Sequence, residues 1–141
     1  MLRKSLFTAL TLGIAMLLVP IQAAAESGFA KVRANGSLAT VGGPDTNTAT
    51  SSRLAAGVYS VQFFGSYPSQ TTADKVAVTT TAESAIYGVS NATVTSADSG
   101  QITVLVYTWV SSNTSTTVDN TFFVAIFTTP DPIAAPAGAK P

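Results

Sequence analysis

Gly57-Val58-Tyr59-Ser60-Val61-Gln62-Phe63-Phe64 decides the fold of this chain, because along most of it the side chains alternate in character. In an extended strand successive side chains point to opposite faces, so Tyr59, Val61 and Phe63 fall on one side and Ser60 and Gln62 on the other. The stretch predicts a strand with a core side and a solvent side, opened by the break at Ala56-Gly57.

Working outward towards the N-terminus, residues 47–54 read as a polar strand at a sheet edge, where exposed Thr and Ser cost little. Gly42-Gly43-Pro44-Asp45 is a loop before it. Residues 29–34 and 37–41 flank Asn35-Gly36, a strong hairpin signal, because both central residues of a type I′ turn need positive φ. Towards the C-terminus, residues 65–72 have loop composition, with Pro68 unable to donate to a ladder. Strands resume over 75–81 and 85–95, the latter with a bulge or bend suggested by Gly88 and a change of alternation. Asp98-Ser99-Gly100 makes a turn. Residues 101–110 and 120–128 are the most hydrophobic and are expected to be central and antiparallel, with a Ser/Thr/Asn-rich loop over 111–117 between them.

Thr, Ser, Ala and Val dominate the composition, and β-branched Thr and Val suit pleated strands better than helices. The expectation is an all-β chain: an antiparallel β-sandwich or jelly-roll-like domain of seven to eight short strands, with a closed barrel as the second choice. It spans residues 26–128, enough chain for one domain with a real core.

The ends read differently. Arg3 and Lys4 precede an apolar run over residues 6–19, Pro20 breaks it, and Ala23-Ala24-Ala25 offers an A-x-A cleavage site. This is the pattern of a secretory signal peptide over residues 1–25, and the apolar run is shorter than a bilayer span. The protein is therefore expected outside the cytoplasm, secreted, at the cell surface or in the periplasm, with no membrane span after cleavage. Residues 129–141, with Pro130, Pro132, Pro136 and Pro141 among Ala and Gly, read as a disordered tail.

A resemblance rests on Ala30-Lys31-Val32-Arg33-Ala34-Asn35-Gly36-Ser37-Leu38, on Gly57-Val58-Tyr59-Ser60-Val61-Gln62-Phe63 and on Asp119-Asn120-Thr121-Phe122-Phe123-Val124. These resemble the A-x-V-x-A-D/N-G-T/S-L opening, the G-x-Y-x-V-x-F strand and the D-x-x-F-x-V closing strand of a diverse, largely uncharacterised group of exported bacterial β-domains. The resemblance covers most of residues 29–127 and implies export and a β fold. It carries no catalytic signature, and this chain lacks the core cysteine pair that many members have.

The chain has no His and no Cys, which removes Ser-His-Asp and Cys-His nucleophilic systems and the usual zinc sites. Beyond the leader, five basic residues stand against seven acidic ones, so there is no basic footprint for nucleic acid or anionic lipid. Asp45, Asp74, Glu83, Asp98 and Asp119 are the candidates for a carboxylate pair, but each sits in or beside a predicted turn, where Asp caps nearby backbone N–H groups. Neither Asp45-Thr46-Asn47 nor Asp98-Ser99-Gly100 forms a full calcium loop. No enzyme activity, cofactor or metal is expected.

What stands out is that the last two strands are apolar on both faces. Ile102, Val104 and Val106 oppose Leu105, Tyr107 and Trp109, and Phe122, Val124 and Ile126 oppose Phe123, Ala125 and Phe127. Leu105, Tyr107, Trp109, Phe123 and Phe127 are thus the candidate interface or ligand face. Two functions follow as expectations. One is a structural or interaction module acting through homo-oligomer assembly or surface adhesion. The other is a carbohydrate- or small-ligand-binding module in which Tyr67, Tyr87, Tyr107 or Trp109 stacks on a sugar ring, favoured if two of these aromatics share an exposed surface.

Overall fold

The structure, a computed structural model, describes residues 25–83, 88–110 and 116–131. Its strands are β1 (Ala25–Val32), β2 (Leu38–Gly42), β3 (Thr46–Ala55), β4 (Val58–Gly65), β5 (Val76–Ala82), β6 (Val89–Ala97), β7 (Gln101–Trp109) and β8 (Phe122–Thr128), with a 3₁₀ turn at Ala73–Lys75. They form two four-stranded antiparallel sheets, β2-β1-β8-β5 (sheet A) and β3-β4-β7-β6 (sheet B), stacked as a β-sandwich. Each sheet keeps two edges, so neither closes into a barrel. Among the described residues no helix is long and apolar enough to cross a membrane.

The alternation that marks β4 in sequence is what builds the core. Tyr59, Val61 and Phe63 are completely buried, and β7 presents Ile102, Val104 and Val106 beside them. From sheet A, Ala30 and Val32 of β1 and Phe122, Val124 and Ile126 of β8 close the other side, each at most 1% exposed. The Tyr59 and Phe122 rings meet across the sandwich at 4.9 Å with a 57° tilt, a favourable aromatic geometry. Each large side chain so buried contributes about 1.5–3 kcal/mol.

The two hydrophobic late strands are indeed central, β7 between β4 and β6 and β8 between β1 and β5, but they lie in different sheets. Each pairs antiparallel with its own neighbours. β3 is an edge strand, as its polarity predicts. The irregularity expected near Gly88 occurs further on, as a register shift between Val94 and Ser96; residues 85–87 of that expected segment lie outside the described residues.

The Asn35-Gly36 hairpin forms, but not through a type I′ turn. Gly36 has φ 87, while no described non-glycine residue has positive φ. The Arg33 carbonyl accepts from Gly36 N–H and Arg33 N–H donates to the Ser37 carbonyl, both at 2.8 Å. This is the three-residue loop in which glycine supplies the left-handed position after an ordinary turn. Asn35 is then free to use its side chain: Oδ1 accepts from the Ser37 N–H at 3.0 Å and the Ser37 hydroxyl at 2.8 Å.

One end of the sandwich is sealed by hydroxyls. Buried Ser27 and Thr128 share a 2.6 Å hydrogen bond between β1 and β8. Buried Thr46 donates to the Ser27 carbonyl at 3.0 Å and lies 2.9 Å from the Tyr67 hydroxyl. Polar groups at this depth are tolerable because they are paired.

Candidate functional site

Along β7 the inward side chains fill the core, so the remaining ones, Thr103, Leu105, Tyr107 and Trp109, line the outer face of sheet B, half-buried. Register then decides their neighbours. β4 sets Val58 opposite Tyr107, Ser60 opposite Leu105 and Gln62 opposite Thr103. On the other flank β6 sets Asn91 opposite Tyr107 and Thr93 opposite Leu105. The Tyr107 and Trp109 rings stack at 6.0 Å with planes 19° apart. β6 also sets Val89 opposite Trp109, and Thr117 bridges to it on the other side, so the aromatic pair stands on the sheet between Val58 and Val89 on the apolar side and Asn91 and Thr117 on the polar side.

The backbone beneath the pair is tied down. Thr108, between the two aromatics, is buried, donates its N–H to the Gly57 carbonyl at 2.9 Å and its hydroxyl to the Val118 carbonyl at 2.6 Å. Gly57 has φ 66, and a side chain there would put its Cβ 2.5 Å from the Val118 nitrogen, so the G-x-Y pattern needs its glycine.

Phe123 and Phe127 lie elsewhere. They point from the outer face of sheet A, on the opposite side of the sandwich from Leu105, Tyr107 and Trp109, so the five candidate residues form two surfaces and not one. Phe123 is 44% exposed and Phe127 is half-buried opposite Ala77 and Glu26. Phe29, Thr79, Thr81, Phe123 and Ala125 border a shallow open groove of about 250 Å³ on this face. On the same face Lys31 sets its ammonium 4.8 Å from the Phe123 ring centre and 2.6 Å from Glu83. Of the other aromatics, Tyr67 is buried against Thr46, and Tyr87 lies outside the described residues.

The acidic candidates are scattered, and among the described residues no three of them gather as a metal site. Asp98 caps its own turn, Oδ1 accepting from Gly100 N–H at 2.7 Å and Gln101 N–H at 2.8 Å. Asp74 sits in the 3₁₀ turn, where a hydrogen bond from the Thr72 hydroxyl holds its carboxyl below the usual range. Glu83 pairs with Lys31. Asp45 borders a cleft of about 460 Å³ with Tyr67 and Asp131 at the hydroxyl-sealed end.

Asp119 does more than cap a turn. Its Oδ1 accepts from Arg53 Nε at 2.7 Å and Gly57 N–H at 2.8 Å, and the Tyr59 hydroxyl lies 3.1 Å away. The same hydroxyl is 2.9 Å from the Ala34 carbonyl. The Arg53 bond, seconded by Gly57, lowers the Asp119 pKa from 3.8 to about 2. Ala34, Gly57-x-Tyr59 and Asp119 belong to the three quoted motif segments, so those segments meet at one node. Sequence reading missed this node because its members are more than 50 residues apart in places and each looks like local turn chemistry.

No family model, no curated protein and no solved structure matches the chain.

Proposed function

We propose that this protein is an exported, non-enzymatic binding module whose working surface is the outer face of sheet B, where Tyr107 and Trp109 stack on a carbohydrate or similar small ligand. The observation that carries the reading is the aromatic pair, two near-parallel rings 6.0 Å apart on a sheet face that also carries Asn91, Thr93, Ser60 and Gln62. The apolar C–H face of a sugar packs on such rings, while side chains such as Gln62 and Asn91 each offer donors and an acceptor to its hydroxyls. In this reading the leader over residues 1–25 delivers the module to the periplasm, the cell surface or the medium.

Trp109 is the chain's one tryptophan, so its fluorescence reports on the site directly. A glycan array followed by affinity electrophoresis is the test, with Trp109 fluorescence titration as the second readout for the unaltered protein. Binding that Trp109→Ala weakens by about tenfold or more, with the unfolding midpoint nearly unchanged, is the expected outcome. A folded protein that binds no glycan overturns the reading.

Self-assembly is the second reading, favoured by the 44% exposure of Phe123 beside the sheet A groove. Light scattering after size exclusion tests it: a defined multimer that Phe123→Ser dissolves supports assembly, and a monomer removes it.

A further inference from the structure

On the reading that the outer face of sheet B binds carbohydrate, we infer that its ligand is an electrically neutral, extended polysaccharide. The first ground is charge. The outward positions of β3 and β4 carry Thr48, Thr50, Ser52 and Ala55, and Val58, Ser60, Gln62 and Phe64. Those of β7 and β6 add the aromatic pair with Gln101, Thr103, Leu105, Val89, Asn91 and Thr93. Among the described residues these outward positions hold no carboxylate, ammonium or guanidinium. The internal segments outside the description, 84–87 and 111–115, contain none in sequence either.

The charges beside the β6 edge are Asp74 and Lys75, adjacent to each other in the 3₁₀ turn. Lys31 and Glu83 pair beside the sheet A face, and Arg53 is bound to Asp119 at the β3–β4 hairpin end. Asp98 is folded onto its own turn. A polymer bearing carboxylates or sulfates would lose hydration on this surface with no cation to replace it, a cost that a neutral polymer does not meet. Hydroxyls and amides are matched instead to sugar hydroxyls, which both donate and accept.

The second ground is shape. Tyr107 and Trp109 stand two residues apart along one central strand, and polar side chains extend away from them along both flanking strands, Ser60 and Gln62 on β4 and Asn91 and Thr93 on β6. A sheet face touches the flank of a chain that runs over it. A single sugar covers one ring and leaves the flanking rows unused, so affinity grows with chain length.

The test uses the full-length protein and Trp109 fluorescence, with affinity electrophoresis as a second readout. The probes are a neutral galactomannan, a neutral β-glucan and their mono- and disaccharides, against alginate as the acidic polymer. The expected result is binding of a neutral polymer, at least about tenfold weaker for its disaccharide, unchanged between about 0.05 and 0.5 M salt, and lost in Trp109→Ala. Thr93→Lys, an exposed position, is then expected to create salt-sensitive binding of alginate. Tight alginate binding by the unaltered protein, still dependent on Trp109, overturns the neutral-ligand inference and leaves the carbohydrate reading standing. Equal affinity for monosaccharide and polymer overturns the extended-chain part. Failure to bind any of the probes, or any glycan on the array, overturns both.

Discussion

The two outer faces of the sandwich are built on the same alternating pattern and end with different chemistry. On sheet A, β8 turns Phe123 and Phe127 outward, but charged side chains work over them: Lys31 spans Phe123 to reach Glu83, and Glu26 opposes Phe127. Phe29 is spent as well, its ring lying over Gly42, where an added Cβ would come within 2.8 Å of it. On sheet B, β7 turns Leu105, Tyr107 and Trp109 outward, and the two rings stack on each other amid uncharged neighbours, Val58, Val89 and Asn91. The difference teaches that outward apolar residues are not equivalent. Phe123 on sheet A is 44% exposed with the Lys31 ammonium against its ring, whereas Leu105, Tyr107 and Trp109 on sheet B are each half-buried among uncharged neighbours and, on the proposed function, are the surface offered to a sugar.

The comparison breaks most severely from within. Phe122 and Phe123 are neighbours on β8, yet Phe122 is fully buried against Tyr59 and Phe123 is 44% exposed. Phe122→Ala is expected to cost about 3–5 kcal/mol, a large share of the stability of a domain this size, and to dissolve both faces at once. Phe123→Ala is expected to cost about 1 kcal/mol or less, mostly its contact with Lys31. Urea unfolding of the two variants measures the contrast, and equal losses would contradict the assignment of inner and outer faces.

A smaller break unties the sheets from each other. Asp119, just ahead of β8 in sheet A, holds Arg53, Gly57 and Tyr59 of sheet B. With its pKa at about 2 in place of 3.8, the folded state favours the carboxylate, so this stabilisation is complete above about pH 4 and is lost as pH falls through about 2. Asp119→Asn keeps an oxygen acceptor and removes the charge. Because the side chain is 36% exposed, water shares its interactions and the expected loss at neutral pH is about 1 kcal/mol. The gap to the unaltered protein should narrow steadily as acid protonates the native Asp119. A gap that stays constant from neutral to strongly acidic pH would show that charge is not its source.

How much of this was legible in sequence follows the range of each interaction. The inward set Tyr59, Val61 and Phe63 was readable because alternation is local, and β3 was readable as an edge because its Thr and Ser have no buried face to fill. Alternation also told which residues of β7 and β8 share a side of their own strand. It could not tell which sheet each strand joins, because backbone pairing such as β1 with β8 or β4 with β7 is nearly blind to residue type. For that reason Trp109 and Phe123 looked like parts of one patch. The Asn35-Gly36 hairpin was legible, but its turn type was not, since Asn35 can serve by its side chain as well as by its backbone. Asp119 was readable as a capping residue, and its partners 60 or more residues away were not.

The finest test of the comparison alters a charge and looks for an effect on the opposite side. Lys31 and Glu83 meet at 2.6 Å with side chains 27% and 50% exposed, a geometry in which solvent and salt leave little net stabilisation. Glu83→Gln is expected to lower stability by about 0.5 kcal/mol or less at low salt and by nothing measurable at high salt, where exposed charges are screened within a few ångström. Its effect on glycan affinity, read by Trp109 fluorescence, should be nil, because Glu83 and the aromatic pair belong to faces separated by the whole buried core. A glycan affinity that shifts with Glu83 would place the working surface on sheet A, where the ligand would meet the Phe123 groove and the charges beside it, and the contrast between the two faces would lose its functional meaning.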